Sequence, residues 1–147
     1  ERTDPREPLA VALLNALGKQ GSLVVFTGFE GRVIRELAEA LPRLRRDLDR
    51  LHTRLWDLNA VLKQHYYHPG FVGSYSLKAV LPALLPELGY GDLAIQEGTA
   101  AAEAYAAMVF GSMPEGERTR LRHALLAYCG RDTEGLLRLR ERLREKA

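Results

Sequence analysis

Ser22-Leu23-Val24-Val25-Phe26-Thr27, closed by Gly28, is the one stretch of this chain rich enough in β-branched and aromatic residues to read as a strand. Its middle is apolar on both faces, the pattern of a strand buried in a mainly parallel sheet rather than of a half-exposed hairpin arm. A lone strand cannot satisfy its own backbone donors and acceptors, so its neighbours must come from elsewhere. The remainder reads as helix. The expected fold is therefore mostly α with a short remnant of a β-sheet.

Before the strand, Leu9, Leu13, Leu14 and Leu17 recur at helical spacing after Pro5 and Pro8, and Gly18 and Gly21 stop that helix. After it, Val33, Ile34, Leu37, Ala38 and Leu41 make an amphipathic helix from Gly31 to Leu41, limited by Pro42. Leu44, Leu48, Leu51, Leu55, Leu58 and Leu62 then alternate steps of four and three. A seam of under three heptads predicts a core-facing helix rather than a coiled coil. An aromatic, glycine-rich loop spans His65 to Tyr75. Leu77, Val80, Leu81, Leu84 and Leu85 predict a short helix ended by Pro86 and Gly89. Thr99 is placed to cap an alanine-rich helix reaching Phe110, and a loop from Gly111 to Gly116 precedes a last helical stretch from Glu117 to the end.

With 147 residues, 46% apolar and 27% charged, the chain has the make-up of one globular domain, 1–147. The single cysteine, Cys129, excludes an internal disulfide framework and a cysteine-rich zinc site, and its leucine-rich surroundings predict a buried, inert thiol. No apolar run approaches the roughly 20 residues needed to span a bilayer. The start, Glu1-Arg2-Thr3-Asp4-Pro5, has neither an initiator methionine nor a secretion signal, so it reads as a piece of a longer cytoplasmic protein. Net charge is +2, from 21 basic and 19 acidic residues. Arg43, Arg45, Arg46, Arg50 and Arg54 cluster, as do Arg138, Arg140, Arg142 and Arg144, but Asp47, Asp49, Glu141 and Glu145 interleave them as on solvated helix faces. A purely electrostatic nucleic-acid binder is disfavoured.

His52, His65, His68 and His123 lack an HExxH pattern or a cysteine pair, so zinc is not expected. There is no G-x-S-x-G nucleophile turn, and the Gly18/Gly21 pair precedes the strand where a phosphate loop would follow it. Two carboxylates stand out. Glu30 lies just past the strand at the start of the next helix, where open α/β sheets place ligands and where an acid also faces a helix dipole. Asp132 either shares a face with Tyr128, one turn away on a continuing helix, or caps a new helix after Gly130.

Gly28-Phe29-Glu30, Arg54-Leu55-Trp56-Asp57-Leu58, Ser76-Leu77-Lys78 and Tyr128-Cys129-Gly130-Arg131-Asp132-Thr133 together resemble the later part of a DEDD-type 3′–5′ exonuclease of the ribonuclease H-like fold. The long string from Tyr66 to Gly98 resembles a bacterial family, domain of unknown function 2779. The resemblance implies a truncated α/β ribonuclease H-like domain acting on nucleic-acid phosphodiesters. In such enzymes carboxylates hold two magnesium or manganese ions about 4 Å apart. It makes Glu30 the acid of the second motif and Asp132 that of the third, both metal ligands, with Tyr128 orienting or deprotonating the attacking water. Ser76 and Lys78 would lie near the nucleic-acid groove.

The first motif, an Asp-x-Glu pair on a strand, has no counterpart; Asp47-Leu48-Asp49 has the spacing but falls within the leucine-seam helix. The expectation is that the first strands lie upstream of Glu1 and that this chain holds half an active site. It would be inactive alone, would bind no metal tightly, and would be completed by the N-terminal part of the same protein. Open strand edges leave room for a homodimer. The rival expectation is a non-catalytic helical scaffold or protein-interaction module that keeps the exonuclease outline.

Overall fold

The strand forms over Leu23–Val25 (β1), and its partner lies inside the chain at Leu55–Asp57 (β2). The two run parallel, with Leu23 opposite Leu55, Val24 opposite Trp56 and Val25 opposite Asp57. The structure is a computed structural model that describes residues 4–145; the expectations for Glu1–Thr3 and for the last two residues of the final helix lie outside the described residues. Among the described residues the fold is mostly helical with this one small parallel sheet, and contacts divide it into two units that part between Tyr66 and Tyr67.

In the first unit, α1 (Arg6–Leu17) leads into β1, α2 (Phe29–Ala40) and α3 (Arg45–His52) cross over to β2, and α4 (Leu58–His65) follows at once. The leucine seam is therefore not one core-facing helix but helix, strand and helix in succession. Polar bonds that a continuous helix could not make decide this. The Arg54 guanidinium donates to the carbonyls of Leu17, Gly18, Gln20 and Gly21 at 2.5–3.0 Å, drawing residue 54 alongside the turn before β1. Leu23 N–H then donates to Arg54 O at 2.8 Å and starts the ladder. At the other end Asp57 Oδ1 accepts from Asn59 N–H, capping α4, and from Thr27 N–H, both at 2.9 Å. The leucines still point inward: Leu48 and Leu51 join Ala10, Ile34, Leu37 and Ala38 in one buried cluster, with Leu44 and Leu55 packed against it.

The second unit has no sheet among its described residues. A 3₁₀ turn at Pro69–Phe71 precedes α5 (Leu77–Leu84), a second turn at Pro86–Leu88 follows, and α6 (Gly98–Phe110) and α7 (Glu115–Arg144) complete it. Phe71, Val80, Leu81 and Leu139 are its most buried side chains. Gly135 of α7 is buried directly against Leu81. Thr99 does not cap α6: the helix begins at Gly98 behind Glu97, with no side-chain cap bond. Cys129 is exposed, not buried: a leucine-rich sequence neighbourhood does not fix which face of α7 a residue takes.

Candidate functional site

The helix α7 runs unbroken through Gly130, so Tyr128 and Asp132 stand one turn apart on one face, both half-buried. Gly130 does not end the helix: its Cβ direction is open space and its φ is not positive, so an ordinary helical residue suffices there. That resolves the choice left open by the sequence in favour of the shared face.

What faces this pair is Lys78 together with a tyrosine to which the sequence reading gave no role. Tyr90, buried, donates its hydroxyl to Asp132 Oδ1 at 2.6 Å. Its ring centroid lies 6.0 Å from that of Tyr128, and Lys78 Nζ stands 5.9 Å from the Tyr90 ring. Burial first, then the hydrogen bond to Asp132, pushes the Tyr90 phenol far above its ordinary pKa. Burial, then the Asp132 charge, raises Tyr128 as well, so both phenols stay protonated across the neutral range. The Tyr128 hydroxyl lies over Gly98, 3.6 Å from where a Cβ would stand.

The neighbouring residue fixes the same segment a second way. Arg131 donates to Gly89 O and makes a two-pronged pair with Asp92, at 3.0 and 2.7 Å. Residues 89–92 are thus held on α7 from both Arg131 and Asp132. Lys78 pairs with Glu97 at 3.3 Å, linking α5 to the start of α6. Ser76 is the N-cap of α5: its Oγ accepts from Ala79 N–H at 3.3 Å and from the Ser74 hydroxyl at 3.2 Å. The structure therefore brings Lys78, Tyr128 and Asp132 together and gives Ser76 a helix-capping duty. Tyr90, Asp92, Glu97 and Arg131 were missed as site residues. Tyr90 and Asp92 sit in Gly89-Tyr90-Gly91-Asp92, about forty positions from their partners, where no local spacing could reveal them.

Glu30 belongs to the first unit. It stands in the first turn of α2 at the carboxyl end of β1, as the sequence reading placed it, and lines an open apolar cleft of about 460 Å³ with Leu13, Leu23, Val25 and Val33. Thr27, three residues before it, has φ 70°, a left-handed conformation unfavourable for a β-branched residue, held by the bond from its N–H to Asp57.

Among the described residues no three His, Cys, Asp or Glu side chains gather as a metal-binding group. Around Asp132 the neighbours are two phenols and an arginine, with the lysine over Tyr90, which is not the carboxylate-rich set that a magnesium or manganese pair demands. These residues alone do not fit the metal pair. No helix among the described residues is long and apolar enough to cross a membrane.

A family model described as a domain of unknown function (DUF2779) matches residues 1–76, just over half of the 147 residues, and the chain belongs to that family. No curated protein and no solved structure matches it.

Proposed function

We propose that this member of the domain of unknown function 2779 family is the C-terminal part of a DEDD-type 3′–5′ exonuclease-like domain of the ribonuclease H-like fold, acting on nucleic-acid phosphodiesters only when the rest of the carboxylate set is supplied. The observation that carries the reading is the unbroken course of α7 through Gly130, which gives Tyr128 and Asp132 the one-turn spacing of a Tyr-x-x-x-Asp motif. Glu30, at the carboxyl end of a parallel strand, supports it as the second acid. Because Tyr128 is held protonated, its part is to donate a hydrogen bond to an incoming water or phosphate oxygen rather than to remove a proton. Since the described residues do not assemble a metal-binding group, no metal-borne step is assigned to them.

The test is degradation of single-stranded DNA and RNA by the full-length protein, with and without magnesium or manganese. Loss of degradation in Asp132→Asn, with the fold retained, is the expected result; equal degradation by wild type and Asp132→Asn overturns the assigned role. One observation favours the non-catalytic scaffold instead. Asp132 is already engaged by Tyr90, and Arg131 by Asp92 and Gly89, so the motif could serve only to hold residues 89–92. On that reading Asp132→Asn lowers stability and changes nothing else.

A further inference from the structure

Between α1 and α3 the first unit carries a hollow of about 490 Å³ that the chemistry above does not use. Its floor is apolar: Leu51 is buried, Leu14 and Leu44 are half-buried against the core, and Val11, 41% exposed, lines it as well. The charged part of its lining is mostly cationic. Lys19, Arg50 and Arg54 stand there beside one carboxylate, Asp47, which pairs with Arg50 at 3.5 Å on exposed side chains. Arg54 differs from the arginines on the outer faces of the helices. Its half-buried guanidinium bonds only to the carbonyls of Leu17, Gly18, Gln20 and Gly21, which are neutral. Among the described residues no carboxylate forms an ion pair with Arg54 or with Lys19. A half-buried positive charge met only by dipoles leaves a positive potential over the leucines, and a concave wall of low dielectric concentrates it.

We propose that this hollow binds a small organic anion, with an apolar body seated on Leu14, Leu44 and Leu51 and one negative head held by Lys19 and Arg50 in the field of Arg54. The size suits such a ligand, since sites of roughly 300–1,000 Å³ with an apolar lining and a few charged groups are the usual small-molecule pockets. An inorganic anion would leave the leucine floor wet, and a neutral or cationic body would forgo the three positive charges. Asp47 limits the affinity, because it is the one lining group that repels the head. The proposal concerns the first unit alone and does not rest on the exonuclease-like reading.

The experiment is isothermal titration calorimetry of the full chain at neutral pH with two probes. One is 2-naphthoate, an ionised carboxylate on an apolar ring; the other is 2-naphthylmethanol, which keeps the ring and carries no charge. Naphthoate is expected to bind roughly tenfold more tightly than the alcohol, and to lose that margin as salt is raised. Lys19→Gln is expected to weaken naphthoate about three- to tenfold and to leave the alcohol unchanged. Asp47→Asn is expected to tighten naphthoate about threefold, because it removes the negative charge from the lining. Both substitutions fall on exposed side chains, so the fold is kept. Opposite signs for the two variants separate binding in this hollow from adsorption to any apolar surface. Naphthoate that does not bind, or whose affinity is indifferent to both substitutions, overturns the proposal. Preference for the alcohol, unmoved by Lys19 and Asp47, overturns it equally and assigns the binding to the apolar cleft beside Glu30.

Discussion

The two units differ in what their distant side-chain bonds grip. In the first, side chains grip backbone: Arg54 donates to four carbonyls and Asp57 accepts from two amides, and together they bring β2 to β1. In the second, carbonyls are gripped too, Gly89 by Arg131 and Gly91 and Leu93 by Gln96, but side-chain pairs are added across the sequence: Tyr90 with Asp132, Arg131 with Asp92, Lys78 with Glu97. Backbone partners are present whatever the sequence, so the first unit's architecture hangs on single residues. The second unit's depends also on pairs, each of which is lost if either member changes.

The sharpest way to break this contrast is Arg54→Met. Methionine keeps much of the apolar stem but leaves four carbonyl groups without their charged donor. The expected loss is about 2–4 kcal/mol, seen in urea unfolding. Arg54→Lys should recover little, because one ammonium cannot reproduce the fork that spans four acceptors. A variant within a few tenths of wild type would show that β1–β2 pairing stands without the arginine.

In the second unit the corresponding test is steric. Gly135 and Gly130 both lie inside α7, where alanine normally gains roughly 1 kcal/mol over glycine. A methyl at Gly135 would overlap Leu81, itself fully buried, whereas one at Gly130 meets nothing. Gly135→Ala should therefore destabilise by about 1–3 kcal/mol, and Gly130→Ala should stabilise by roughly 0.5–1 kcal/mol, read from thermal denaturation. Like signs for the two would mean that α5 and α7 do not meet at this point.

Next in size is Asp57→Ala, which removes the α4 cap and the acceptor for Thr27 N–H; about 1–2 kcal/mol is expected. Asp57→Asn should retain most of that stability, since the amide oxygen can still accept. Amide exchange quickening at Thr27 and Asn59 before the rest of the unit would locate the effect.

The helices were legible because apolar periodicity is a local property: α1, α2 and α5 follow from their leucine, valine and alanine spacing, while the continuity of α7 through Gly130 did not. β2 was not, because Leu51, Leu55, Leu58 and Leu62 satisfy a helical seam and a helix–strand–helix passage equally well. The choice falls to Arg54 and Asp57, whose partners Gly21 and Thr27 lie 33 and 30 positions back. The strand's missing neighbour was sought elsewhere for the same reason. At the candidate site, Tyr128 and Asp132 could be paired by their spacing along one helix, and Glu30 by its place after β1. Tyr90 could not be found, since a tyrosine between two glycines suggests a turn and nothing in its surroundings points 42 positions ahead to Asp132.

The smallest expected effect also bears most directly on the nature of the grip. The Arg131 guanidinium, hydrogen-bonded to Asp92, holds that carboxyl below its ordinary range of about 3.9. A depressed folded-state pKa adds stability that is fully present above the unfolded value and is lost as pH falls through the folded one. The wild-type advantage over Asp92→Asn should hold at pH 7, fade as the solution is taken below about pH 4, and shrink with added salt, because Asp92 is largely exposed. Arg54 in the first unit donates to carbonyls, which do not titrate, so the penalty of Arg54→Met should persist through the same acid range. If the Asp92→Asn difference were equally indifferent to acid and salt, the bond would be working as a neutral hydrogen bond, and the second unit would be held, like the first, by geometry rather than by charge.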